Sequence, residues 1–375
     1  MTQTTPLIER ITAYRLCTAP EHEPQTADRW VLASNLQKSI RRGLVPTAVG
    51  TASALLAVDP RYFWRRLLVI AYEDLGYGDI NGWHDLLKTF RREALHRDLG
   101  PQRVAQFFAH ELAVARKSRA LCDALAMLEF SVKRKLYERQ AFALTADELL
   151  ATVCDVTTPI INRMAALRHI CGYGVFANGR YQTLSPPDRE LMVRVCTAQA
   201  LSEIETTLFR SGQNIAESLN TAIPIIGPMI RTGQQTVQTV KHEFQGKHGL
   251  LYAALDRHTR VGKRCFARLA KEAAPMREFF TQHPALDPVA VIGVGMFIVE
   301  GAALDRWLVF DGAEELCKDF NHNFLEHAGV PTDEQPELLD LVRSTHEQLN
   351  HIRAHELDQC TDFSIGHGNK LFSAF

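Results

Sequence analysis

Residues 255–264 read Leu-Asp-Arg-His-Thr-Arg-Val-Gly-Lys-Arg, a dense polar stretch between apolar ones. Asp256 and His258 are spaced as an acid/base pair, the only catalytic candidates the sequence offers. Arg257, Arg260, Lys263 and Arg264 suit an anion or a partner surface instead. Leu250, Leu251 and Ala254 precede the stretch, and Phe266 and Leu269 follow it. That framing allows a third reading, a buried polar network in mid-helix, with Gly262 permitting a close helix crossing. Four further clusters mix cations with aromatics or polar groups: 61–66, 88–92, 116–119 and 133–139. Cations neutralise phosphates and aromatic rings stack on bases. The candidate nucleic-acid contacts are therefore Arg65, Arg66, Arg91, Arg92, Arg116, Lys117 and Arg119, if their helices align them in one groove. The plainer alternative is a set of separate solvated faces. His351 and His355 share a helix face beside Glu356, yet HExxH is absent, and neither they nor His322 and His327 are assigned a metal. No GxSxG elbow or Cys–His nucleophile signature occurs. Gly293-Val294-Gly295 lacks a preceding strand and reads as a close-packed helix, so no cofactor is expected.

The elements that must position these groups read as helices. Leu32, Leu36 and Ile40 recur at helical spacing and predict a helix over 27–42, ended by Gly43. A short helix over 47–58 follows. Asp59-Pro60 is a start signal, N-cap then first helical residue, for a helix to Leu75 that stops at Gly76-Tyr77-Gly78. Asp79 opens a helix to Leu99, and Gly100-Pro101 one to Arg116; another covers 120–139. Thr145 and Glu148 have capping-box spacing. Helices are also expected from Thr158-Pro159 to Gly172, from 185 to Phe209, and over 248–273, 287–310, 313–327 and 334–355. Residues 221–227 read as a buried connector and 175–183 as a hairpin at most. The expectation is an all-α, multi-helix fold: a loose lead-in over 1–26, a helical module over 27–140, a second helical domain over 141–360, and a tail over 361–375. In that tail Leu371, Phe372 and Phe375 follow a glycine-rich hinge. They read as a docking peptide, loosely similar to the Leu-Phe motifs that bind sliding clamps, or as an end folded back onto the core.

Three stretches carry a resemblance: Leu36-Gln37-Lys38-Ser39-Ile40-Arg41; Asp59, Pro60, Tyr62, Arg65, Arg66, Leu67, Ala71, Glu73, Asp74, Gly76 and Asp79; and Phe107 to Ala120 with Lys117-Ser118. In order and spacing they resemble the C-terminal helical region of the replication-associated recombination protein A family, also called MgsA, whose eukaryotic relative is the Werner helicase-interacting protein. The resemblance covers residues 30–135. It implies a helical assembly module related to the collar of clamp loaders, so the implied partner is a second copy or an AAA+ clamp-loader-like ATPase. The family's ATPase domain is missing, and no GxxxxGK[ST] loop occurs anywhere to cradle phosphates.

Composition and charge set the outer bounds. The chain has 375 residues, 46% hydrophobic and 23% charged, which excludes disorder and disulfide-scaffold classes. No apolar run reaches the roughly 18 residues of a spanning helix, and residues 1–15 lack a secretory apolar segment. Eight cysteines without a CxxC pair read as free thiols of a reducing, cytoplasmic compartment. The net charge of −1 hides an asymmetry: 18 Lys/Arg against 11 Asp/Glu over 35–140, but 14 acidic against 4 basic residues over 300–360. That pattern suits an anionic partner, non-specific DNA, at the basic end. Three readings follow. One is a non-catalytic replication, recombination or repair accessory protein, working by assembly and weak DNA binding. Another is an enzyme with its site around Asp256, His258 and Arg260. A third is a viral or mobile-element mimic that binds a host AAA+ replication ATPase.

Overall fold

The computed structural model describes residues 5–15, 24, 26, 28–90, 92–177, 180–183, 185–211 and 218–359. Arg91 and the tail with Leu371, Phe372 and Phe375 lie outside the described residues. In chain order the elements are α1 (Thr5–Ala13), α2 (Arg29–Arg41), α3 (Val45–Val58), α4 (Pro60–Ile70), α5 (Ile80–Phe90), α6 (Glu93–Leu99), α7 (Pro101–Val114), α8 (Ala120–Glu129), α9 (Arg134–Phe142), α10 (Ala146–Cys154) and α11 (Ile160–Ile170). There follow β1 (Tyr173–Ala177), β2 (Arg180–Thr183), α12 (Arg189–Ala198), α13 (Glu203–Ser211), α14 (Ile223–Thr232), β3 (Gln235–Gln238), β4 (Gly246–Lys247) and β5 (Leu250–Leu251). The chain continues with α15 (Arg260–Glu272), α16 (Ala274–Gln282), α17 (Pro288–Gly301), β6 (Trp307–Phe310), α18 (Ala313–His327), α19 (Gln335–Ser344) and α20 (His346–Gln359). The fold is all-α. Its strands form only two-stranded antiparallel pairs among the described residues: β1 with β2, β4 with β5, and β3 with the distant β6.

The helix starts follow their caps. Asp28 accepts from the backbone N–H groups of Trp30 and Val31, and Asp59 from that of Tyr62. Thr145 and Glu148 form the expected capping box. The interiors depart from the sequence reading in several places. The helix expected over 79–99 breaks between α5 and α6, that over 120–139 between α8 and α9, and that over 185–209 between α12 and α13. The expected connector at 221–227 enters helix α14, and the end of the expected 287–310 helix is strand β6. The lead-in contains α1, whose Leu7 and Ile11 are buried.

Apolar packing forms two cores. One holds residues of α1 to α14 and then Leu308, Phe310 and Leu316. The other holds residues of α15 to α20 with Val31 and Ala126. Packing in the first core runs without interruption past residue 140, through Leu149, Leu167, Phe209 and Ile226. Helix α2 lies between the cores and is buried on every side from Val31 to Arg41. Its Leu32, Leu36 and Ile40 enter the first core, while Val31 enters the second. Apart from Ala33, also in the first core, the remaining buried side chains of α2 are polar and most find buried partners, because an unpaired polar group in an interior is costly; Ser39 Oγ is the exception among those on α2. Asn35 holds one junction: its amide donates to Thr51 Oγ1 (2.8 Å) and to the Gly249 carbonyl (3.0 Å), and its Oδ1 accepts from the Leu251 N–H (2.9 Å).

Candidate functional site

The polar side of α2 opens on a cleft between the two cores, with a cavity of about 260 Å³. Ser34, Gln37, Lys38 and Arg41 recur along that side because residues three and four apart stack on one helix face. Helix α4 adds Tyr62 and Arg66. After Ile70 the helix widens into one π turn, Ala71–Leu75, which carries Glu73 and Asp74. Such turns are rare and cluster at functional sites. The sequence places Glu73 too far from Arg66 for an i,i+4 pair, yet two turns on they meet at 4.0 Å. The turn at 255–259 brings in Asp256, Arg257 and His258, and α17 supplies Gly293, Met296, Phe297 and Glu300.

Most charges here are tied. Lys38 Nζ pairs with Asp256 Oδ2 and donates to Ser34 Oγ (2.8 Å), and Ser34 Oγ donates to the same carboxylate (2.7 Å). Burial opposes ionisation of Asp256, but the Lys38 ammonium overrides it and holds the carboxyl well below its usual range. Arg41 Nε donates to Asp74 Oδ1 (2.8 Å), and Gln37 Nε2 to Asp74 Oδ2 (2.7 Å) and Glu73 Oε2 (3.0 Å). Arg66 donates to Gln37 Oε1. On the far wall Arg353 holds Glu300 through both oxygens (2.6 and 3.3 Å). Burial raises the Glu300 carboxyl, but Arg353 outweighs it and the group falls to about 2.

A cationic surplus remains. Lys38, Arg41, Arg66 and Arg257 line the cleft against Glu73, Asp256 and Glu300; the half-buried Arg42 and the buried Arg119, Arg353, Asp74 and Asp123 lie outside that lining, and burial pushes Asp123 up to about 6 despite Arg119 beside it. Among the described residues, the Nη1 groups of Arg257, Arg119 and Arg42 are buried without a protein hydrogen-bond acceptor. At the mouth Trp30 is 51% exposed and packs edge-on to Tyr62, ring centroids 5.4 Å apart. Arg29 lies over both rings.

The structure distributes the sequence-predicted residues unequally. Gln37, Lys38, Arg41, Arg66, Glu73 and Asp74, from two of the stretches carrying the family resemblance, meet Asp256, Arg257 and His258 in or beside this one cleft. Arg65, Arg92 and Arg116 are exposed, the last donating to the Gly78 carbonyl (3.1 Å). Lys117 and Arg119 are interior, against their reading as phosphate contacts. Lys117 is 0% exposed and its Nζ donates to the carbonyls of Ala113 (3.0 Å) and Ala115 (2.6 Å). Arg119 is 6% exposed, lies over the Phe297 ring at 5.0 Å and reaches Asp123 at 3.7 Å. The described cations therefore do not form one open groove.

The 255–264 stretch is likewise not mid-helix. Thr259 caps α15, its Oγ1 accepting from the Gly262 N–H (3.0 Å), and a Cβ on Gly262 would lie 2.0 Å from the Asp256 carbonyl. Glycine is there so that the turn can close on the first turn of the helix. This start splits the predicted cation set. Arg257 lines the cleft, while Arg260, Lys263 and Arg264 stand exposed on α15, with Arg264 paired to Glu356 (3.3 Å). Asp256 receives the backbone N–H of His258 (2.9 Å), an Asx turn rather than an acid/base contact. Sequence reasoning missed Trp30, Ser34, Phe297 and Arg353. Only Ser34 carried a signal, lying four residues before Lys38. His355 Nδ1 lies 3.2 Å from Arg268 Nη1, and among the described residues no group of three His, Cys, Asp or Glu side chains is placed to hold a metal.

No family model, curated protein or solved structure matches this chain. No helix among the described residues is long and apolar enough to cross a membrane.

Proposed function

We propose that this chain is a non-catalytic accessory protein of DNA replication, recombination or repair. It acts by assembling with itself or with a clamp-loader-like AAA+ ATPase, and by weak, sequence-independent contact with DNA. The observation that carries this reading is the convergence of the 36–41 and 59–79 stretches on one cleft whose charges are paired for binding rather than freed for reaction. A general base must be free to take a proton near neutral pH. Asp256 is held ionised by Lys38 and Ser34, His258 meets it through the backbone, and Arg260 points elsewhere. Those placements disfavour an enzyme at Asp256, His258 and Arg260. The surface left for DNA is Arg65, Arg92 and Arg116, and non-specific binding of this kind has a Kd of about 10⁻⁴–10⁻⁶ M at physiological salt. Sedimentation with and without the AAA+ replication ATPase of the same cell tests assembly, and a mobility-shift series at rising salt tests DNA. Self-association or a mixed complex, with a shift that Arg65→Glu and Arg92→Glu weaken together, is the expected result. A strict monomer that retains no ATPase and shifts no single-stranded, duplex or forked DNA overturns the reading.

A further inference from the structure

We infer that the cleft between the two cores is a nucleoside-monophosphate site, with the base stacked on Trp30 at the mouth and the phosphate held by Arg257 inside. The inference rests on the reading of this cleft as a binding site. Three features select the ligand class. The first is an exposed aromatic platform: Trp30, steadied edge-on by Tyr62 and by Arg29, offers the kind of face on which a base stacks.

The second is charge. Each carboxylate lining the cleft already has its cation: Asp256 has Lys38, Glu300 has Arg353 and Glu73 has Arg66. Among the described residues Arg257 makes no ion pair. Its guanidinium is fixed over the Phe324 ring at 4.9 Å, and its buried Nη1 lacks a protein acceptor. Gly293 keeps it there, since a Cβ at that position would come within 3.1 Å of Arg257 Cβ. Behind Phe297, Arg119 adds a second buried guanidinium with a free Nη1. An anion is the species that offsets such a surplus, and the guanidinium fork matches phosphate.

The third is size. About 260 Å³ falls just short of the roughly 300–1,000 Å³ of sites that engulf a whole small molecule. A ligand with its phosphate and sugar inside and its base outside fits that volume.

Trp64 and Trp83 are buried and Trp307 is half-buried, so the part of the quenching that Trp30→Ala abolishes reports on the mouth. The full chain is titrated with dAMP, deoxyadenosine and inorganic phosphate, and with single-stranded oligonucleotides bearing a 5′-phosphate or a 5′-hydroxyl. Saturable quenching by dAMP is expected, with the Arg257→Gln variant weaker by about tenfold, the loss of one hydrogen bond to a charged group, and deoxyadenosine, which lacks the whole phosphate, weaker still. Calorimetry should show dAMP binding lost in Trp30→Ala, whose side chain is exposed and whose removal leaves the cores intact. Tighter binding of the 5′-phosphate strand than of dAMP makes the source a strand end; binding of dAMP without the strand makes it a free nucleotide. Equal affinity for dAMP and deoxyadenosine, or dAMP binding unchanged in Trp30→Ala, overturns the site. A DNA mobility shift that survives Trp30→Ala and Arg257→Gln while dAMP is silent removes this inference and leaves the DNA reading. The reverse pattern removes the DNA reading alone.

Discussion

Glu300 and Arg353 show what a single residue does in this molecule. Their side chains are 7% and 0% exposed, so each is the other's main compensation in the interior. Removing one partner of such a pair costs about 3–5 kcal/mol, because the survivor is left buried and charged. Glu300→Gln is expected to lose stability on that order at neutral pH. Its folded carboxyl titrates at about 2, below the ordinary 4.5. The stabilisation is therefore complete above pH 4.5 and is lost as pH falls toward 2. Urea unfolding should show the gap between wild type and Glu300→Gln closing over that range; a gap constant with pH would be wrong for this pair. Lys117 works in the opposite sense. Burial lowers its ammonium to about 7, with Arg306 adding to the effect. The unfolded chain, with an ordinary lysine near 10.5, binds the extra proton between those values, so stability rises with pH from about 7 to 10.5. Lys117→Met should flatten that rise in denaturation midpoints measured on either side of the window. In the sequence Lys117 looks like one more surface cation. Its burial follows from its backbone, which donates to the Arg306 carbonyl (3.0 Å) and accepts from the Leu308 N–H (2.8 Å), and no local pattern foretells that.

At the scale of elements, most helix starts were legible, but those of α14 and α15 and several breaks were not. Asp28, Asp59, Thr145, Asp188 and Asp287 all cap the helices they precede, because their side chains accept from the first-turn N–H groups. Breaks are written in glycine when the chain turns left-handed, as at Gly43, Gly100 and Gly172. Two breaks use other residues. Ala200, at φ 49°, separates α12 from α13, and Arg306, at φ 47°, precedes β6. Without a glycine to mark them, both stretches read as continuing helix. The candidate site was legible in pieces for the same reason. The α2 and α4 stretches and the 256–258 turn each stand out, but their meeting depends on β5 and the turn after it packing on α2, with α17 lining the opposite wall. The Gly293-Val294-Gly295 pattern was read correctly as close packing: a Cβ on Gly295 would sit 2.7 Å from Val342 Cγ2 on α19. Gly295→Ala should overpack the α17–α19 contact and cost about 1–3 kcal/mol, seen as a lower Tm with the circular dichroism spectrum of the folded state unchanged. An unaltered Tm would mean that α19 shifts away freely.

At the scale of the whole molecule, the 27–140 segment that resembles an assembly module is not a separate core. Its α8 packs against α11 and α18, and its α2 has one side in the second core. A fragment of residues 27–140 exposes those faces and should lack a cooperative thermal transition, whereas the full chain should have one; a sharply melting fragment would show that the segment folds alone. The charge asymmetry of the sequence is partly spent inside this arrangement, where Arg42 of the basic stretch reaches the Glu300 carbonyl (3.4 Å) and its charge helps hold the Glu300 carboxylate ionised. The path of the chain has its own consequence. Core one is built to residue 230, core two takes over at 250, then β6 and the start of α18 return to core one before α18 to α20 finish core two. The exposed 239–245 link is thus a place where the backbone can be cut without releasing either piece, since the downstream piece supplies a strand and part of a helix to the upstream one. Two polypeptides divided there should behave as a split protein: a nicked chain migrates as one particle in gel filtration and as two bands only after denaturation, and the halves co-expressed from separate messages reconstitute the whole.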